Sequence, residues 1–195
     1  MNTEVLNPTI ESIGQLFSLP TGPQGAAFSN VAFAESRYAR DLKINLQNAL
    51  AMPNLSEKES TLLALGVAIN DKSSALVAAL SDKAAAIGAG SEEIAEVFAC
   101  VSLMNTNNVL YRFRHFMKKE QYETPAGIKM NVMVTPVLGK GFFELLSLAV
   151  SALNGCELCV TSHEASVLKH GESTAKIYDA VRLAAIVRGF TVLNA

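Results

Sequence analysis

The sequence predicts an all-α protein, and three observations carry that expectation. Apolar residues recur at helical spacing along most of the chain, whereas few segments alternate with the two-residue period of a half-buried strand. Ala, Leu and Val supply most of a 50% hydrophobic composition that contains no Trp, which suits closely packed helices. Capping residues, Gly and Pro punctuate the apolar stretches at roughly one helix length apart.

The elements follow in order. Residues 1–25 read as an irregular N-terminal arm, because residues 8–25 alone hold three Pro and three Gly. Residues 26–52 carry Val31, Ala34, Tyr38, Leu42, Leu46 and Leu50 at helical spacing and form one helix or a pair, ended by Pro53. Ser56 and Glu59 make a capping box that opens a helix to about residue 69. A helix over 73–87 stops at Gly88-Ala89-Gly90, and Ser91-Glu92-Glu93 starts another that runs to about Met104. Residues 109–118 form a separate short basic-aromatic helix, and 123–134 a loop or extended piece. Thr135-Pro136 opens a helix to Leu153 with Pro at an early position. Asn154-Gly155 breaks it, Cys156 begins the next, which ends near His170-Gly171, and a last helix fills 173–191.

An internal repeat underlies this order. Residues 62–67 echo 145–150, and 97–103 echo 177–183, so the offset drifts from 83 to 80. The chain reads as one domain over 1–195, with a cysteine-poor first half (55–115) and a second half (135–195) that carries the cysteine pair. At an offset of 80 the counterparts of Cys156, Cys159 and His163 are Leu76, Ala79 and Lys83; at 81 they are Ala75, Ala78 and Asp82. The first copy keeps the scaffold without the chemistry, so the cysteines are not needed to build the unit.

Bulk properties narrow the function. A net charge of −2 and no dense basic surface exclude a nucleic-acid role, and Arg112, Arg114, Lys118 and Lys119 read as a solvated or ion-paired helix face. No uncharged apolar run reaches the ~18 residues of a membrane span; 137–153 comes nearest but contains Lys140 and Glu144. The N-terminus lacks the basic region of a signal peptide and carries Glu4 and Glu11, so a cytoplasmic location is expected. A mean hydropathy of +0.26 suggests apolar surface buried between subunits.

In a reducing compartment a close cysteine pair points to redox catalysis or a metal. Cys156, Cys159 and His163 stand at i, i+3 and i+7, on one face of a helix. A thiolate at Cys156 is favoured by the free N–H groups and dipole of the helix start. One at Cys159 is favoured by His163, four residues on, as proton acceptor. The two arguments leave open which thiol attacks. Glu144 is the only acid between Thr135 and Cys156. If the helices fold back across Asn154-Gly155, Glu144 lies ~16 Å and His163 ~13 Å from the turn, so the two can meet and relay protons. Glu144 can equally pair with Lys140 at i+4. A zinc site would need further ligands; Cys100 sits in an apolar helix and His170 lies roughly 10 Å beyond His163. Cys100 reads as a core thiol, His115 as a surface residue and His170 as a helix C-terminal cation.

Glu144, then Cys156-Glu157-Leu158-Cys159, then His163-Glu164 resembles the AhpD alkyl hydroperoxidases of the carboxymuconolactone decarboxylase-like superfamily, whose pattern is Glu, eleven residues, CxxC, three residues and His. Residues 107–115 are similar to that family's central segment, and the resemblance covers the chain from about Asn30. It implies an all-helical fold of two related halves, a homotrimer, and a thiol-dependent peroxidase acting on alkyl hydroperoxides that also passes electrons to the peroxiredoxin AhpC. It implies no bound cofactor. The external reductant is a dihydrolipoyl group carried by a 2-oxo acid dehydrogenase component. Cys159 would be the peroxidatic cysteine, forming a sulfenic acid. Cys156 would be the resolving cysteine and proton donor, closing a Cys156–Cys159 disulfide. His163 and Glu144 would form the proton relay. Leu158 stands where members can carry a His. A disulfide reductase or electron adaptor, and a non-redox decarboxylase-like protein, are the alternative functions.

Overall fold

The computed structural model describes residues 8–19, 26–33 and 36–194 and is all-helical, with no strand among them. Among the described residues there are nine α-helices: α1 (Pro8–Leu16), α2 (Ala26–Phe33), α3 (Arg37–Leu50), α4 (Glu57–Asn70), α5 (Ser74–Ala86), α6 (Ser91–Met117), α7 (Lys140–Leu153), α8 (Glu157–Lys169) and α9 (Thr174–Leu193).

The centre is built from α4 and α7. Residues 60–68 of α4 and 142–151 of α7 are buried without interruption. A helix that is apolar on every side belongs in a core rather than on a surface. The two come together at Gly66, where an added Cβ would lie 2.6 Å from Leu146 Cδ1. Helices α5 and α8 flank α4 and α7 respectively, α6 and α9 pack across both, α2 and α3 pack on α9, and α1 packs on α3.

Starts at 57, 74 and 91 recur at 140, 157 and 174, a constant offset of 83 residues. The buried positions of α6 (Glu96, Val97, Cys100, Val101, Met104, Asn107, Asn108) recur at that offset in α9 as Asp179, Ala180, Leu183, Ala184, Val187, Phe190 and Thr191. The drift to 80 expected for the third helix is therefore corrected. A slip of three residues is close to one helical turn, so it nearly preserves an Ala/Val-rich pattern and misleads a comparison of residue types. In the true register Cys156, Cys159 and His163 correspond to Ser73, Leu76 and Leu80, and Glu144 to Thr61.

Three further expectations are corrected. Part of the N-terminal arm is helical: Pro8 occupies the first position of α1, where its missing N–H costs nothing, and Ile10, Ile13 and Phe17 are buried. Residues 1–7 and 20–25 of that arm lie outside the described residues. The helix expected to stop near Met104 continues to Met117. The polar run Asn105 to Asn108 is held both along α6 and across to its neighbours, Asn105 by Val101 and Asn70, Thr106 by Ser102, and Asn108 by Ser151. Helix α7 starts at Lys140 rather than at Pro136, because Pro136 lies in a turn that Gly139 closes at φ +78°.

The halves are tied crosswise. Glu96 of α6 accepts from the Val137 and Leu138 N–H groups just before α7, at 2.8 and 2.7 Å. Asp179 of α9 accepts from the Asn54 N–H and Nδ2 just before α4, at 3.3 and 2.8 Å. Both acids are more than nine-tenths buried. Hydrogen bonds to a charged acceptor are each worth roughly 1.5–3 kcal/mol. Glu96→Ala is therefore expected to lower the unfolding free energy by about 2 kcal/mol, read as a lower urea midpoint at an unchanged m-value.

Candidate active site

The turn that carries the cysteines is fixed from both sides. Helix α7 ends in a Schellman motif: Gly155 takes φ +66°, its N–H bonds to Ala152 O, and the Cys156 N–H bonds to Ser151 O at 3.1 Å. Cys156 is at the same time the N-cap residue of α8, and its carbonyl accepts from the Val160 N–H. From α6, Arg112 donates to the Asn154 carbonyl, and Asn154 Nδ2 donates to Asn108 Oδ1. The cysteine turn is thus pinned to the longest helix of the fold.

Cys156 and Cys159 are disulfide-bonded, with Cα atoms 5.3 Å apart. Cys156 is fully buried and Cys159 is 6% exposed. Cys100 is a free thiol, buried beside Ser147, and burial pushes it up to about 12, far from any thiolate role at neutral pH. His170 Nδ1 contacts Ser166 O at the end of α8, and His115 lies 3.5 Å from Glu157. Among the described residues no group of three or more His, Cys, Asp or Glu is placed to hold a metal ion.

The structure brings Glu144 and His163 together across the turn, Oε2 to Nδ1 at 2.6 Å. Lys140 Nζ lies 2.7 Å from the other carboxylate oxygen. The two partners weighed for Glu144 in the sequence are both engaged at once, one per oxygen. The Glu144 side chain is 4% exposed, and burial pushes its carboxyl up. Hydrogen bonds from His163 and Lys140 and the charges on both outweigh that effect and hold it at about 2. Glu144 is therefore an anion that fixes the His163 ring through Nδ1 and leaves Nε2 for proton exchange.

Cys159 and His163 line one cavity of about 360 Å³. Its other walls are Asn107 and Tyr111 of α6, Met130 and Met133 of the 118–139 connection, and Leu158 and Ser162 of α8. Sequence reasoning missed this wall. Asn107 and Tyr111 fall in the segment noted for its resemblance, but nothing local marks them as facing Cys159, and Met130 and Met133 sit in a stretch with no periodicity. Asn107 is 6% exposed; its Nδ2 donates to Met130 Sδ at 3.3 Å, and its Oδ1 has no partner. An unpaired buried acceptor costs about 1–3 kcal/mol.

Comparison with known proteins places the chain among relatives. Residues 120–195 match the model of the Carboxymuconolactone decarboxylase family. Alkyl hydroperoxide reductase AhpD of Anaeromyxobacter dehalogenans strain 2CP-C is 41% identical over 169 residues, covering 86% of this chain and 90% of that protein. AhpD proteins of Maricaulis maris and Coxiella burnetii are 39% and 38% identical over 81% and 80% of the chain. The crystal structure of a candidate gamma-carboxymuconolactone decarboxylase subunit from Burkholderia xenovorans LB400 shares the fold, with a TM-score of 0.65 at 13% identity over 94% of this chain and 92% of that one. With that identity sustained across most of both sequences, and with the cysteine pair at disulfide distance, the chain belongs to the AhpD alkyl hydroperoxide reductase family of carboxymuconolactone decarboxylase-like proteins.

Proposed function

We propose that the protein reduces alkyl hydroperoxides through a dithiol–disulfide cycle at Cys156 and Cys159. The observation that supports this most directly is that Cys159 and a carboxylate-oriented His163 line the same cavity. His163 takes the Cys159 proton, and the thiolate attacks the terminal oxygen of the hydroperoxide. The O–O bond breaks, Cys159 becomes a sulfenic acid, and the alcohol leaves with a proton from Cys156 or from a water held by Glu144. Cys156 then displaces water from the sulfenic acid and closes the disulfide. An external dithiol, a dihydrolipoyl group on a 2-oxo acid dehydrogenase component, reopens it by exchange. Electrons also pass from the dithiol to the disulfide of the peroxiredoxin AhpC. Exposed Val109, Phe116 and Tyr178 suit subunit contacts in a homotrimer.

A second reading, an electron adaptor with little direct peroxidase activity, is favoured by Leu158. This side chain between the cysteines is 43% exposed and offers no proton. Turnover that appears only when a peroxiredoxin is added would select it.

With a dihydrolipoyl donor, Cys159→Ser is expected to lower hydroperoxide turnover more than about 100-fold. Cys156→Ser is expected to complete one oxidation and leave a sulfenic acid that dimedone traps. Equal rates for Cys159→Ser and wild type would overturn the reading.

The charge on Glu144 gives a second prediction. Its folded carboxyl stands at about 2 against an ordinary 4.5, so between those values the unfolded chain binds more protons and stability rises with pH. This contribution is complete above about pH 4.5 and lost as pH falls toward 2. In urea unfolding from pH 7 to pH 3, the stability gap between wild type and Glu144→Gln is expected to hold steady down to about pH 4.5 and then narrow.

A further inference from the structure

We propose that Asn107 is the hydroperoxide-binding residue of the Cys159 cavity, a role that rests on the peroxidase reading above. Three observations lead there. The side chain is more than nine-tenths buried, its Oδ1 is buried with no partner, and the residue lines the cavity with Cys159 and His163. Its Nδ2 is held only by the Met130 thioether, a weak acceptor that a better one displaces. The position equivalent to Asn107 in the other half is Phe190, fully buried in the core. The scaffold therefore accepts a large apolar side chain at this register, and a carboxamide that leaves an acceptor unpaired is not required by packing.

A carboxamide presents one acceptor and one donor side by side, and a hydroperoxide presents the complement. Oδ1 accepts the O–H of the terminal oxygen, which turns that oxygen toward Cys159 Sγ. Nδ2 leaves Met130 and donates to the alkyl-bearing oxygen. As the sulfur–oxygen bond forms and the O–O bond breaks, negative charge grows on that alkyl-bearing oxygen, so the Nδ2 hydrogen bond strengthens toward the transition state. The proton that finally neutralises it comes from Cys156 or the water at Glu144, and Asn107 itself exchanges none. Tyr111, Met130, Met133 and Leu158 form the wall that receives the alkyl group.

The test separates peroxide binding from thiol reactivity. Reduced wild type and Asn107→Leu are mixed with cumene hydroperoxide, and disulfide formation is followed in a single turnover. In parallel, alkylation of Cys159 by iodoacetamide, which carries no O–O–H group, is read by mass spectrometry. The inference expects oxidation to slow about tenfold while alkylation stays within about twofold. Asn107→Ala, which adds no bulk, is read in the same way should the leucine variant not fold. Unchanged oxidation, or oxidation and alkylation slowed equally, overturns the assignment while leaving the peroxidase reading intact. A wild type that consumes no hydroperoxide overturns both.

Discussion

The buried carboxylates Glu96 and Asp179 each reach across to the opposite half and take up the backbone N–H groups that precede its first helix. Helix α4 opens on its own Ser56–Glu59 capping box, whereas α7 starts after Gly139 with no side-chain cap, and there Glu96 supplies the polar address. Because Glu96 sets the start of α7, it also sets the height of Glu144, one turn further on, and through it the place of the His163 ring. The geometry next to Cys159 thus descends from a hydrogen bond made outside the cavity.

A second layer of polar contacts serves the turn between α7 and α8. Arg112, Asn108 and Asn154 tie the end of α7 to the middle of α6, with Ser151 completing the set. These groups are satisfied among themselves, which is the condition under which buried polar side chains rigidify a structure rather than weaken it. Asn107, one residue away on the same helix, breaks that rule, and the contrast between the two neighbours is what singles it out.

Much of the fold was legible because helices declare themselves locally. The Ser56–Glu59 capping box, the Gly88 and Gly171 stops and the apolar spacing of α3 all lie within one or two turns of the residues they govern. The Cys156, Cys159 and His163 face was legible for the same reason, and the level of Glu144 followed from rise per residue alone. What escaped was non-local. Proline and glycine content concealed α1, whose stability comes from packing Ile13 and Phe17. The continuity of α6 through its polar centre draws on Asn70 of α4 and Ser151 of α7 as well as on its own carbonyls. The cavity wall at Met130 and Met133 belongs to an aperiodic connection, and only the folded chain shows what it covers.

The crosswise clamps also bear on the order in which a growing chain can finish folding. The Glu96 clamp spans 41 residues and can close once α7 has left the ribosome; the Asp179 clamp spans 125 and waits for α9. Cys156 and Cys159 lie in the chain between the backbone taken up by Glu96 and the acid Asp179, and so emerge between the partners of the two clamps. Until Asp179 emerges, both thiols are present on a chain whose lead-in to α4 is still without its anchor. The nascent chain therefore carries its reactive sulfurs before the start of its first half is tied to the second.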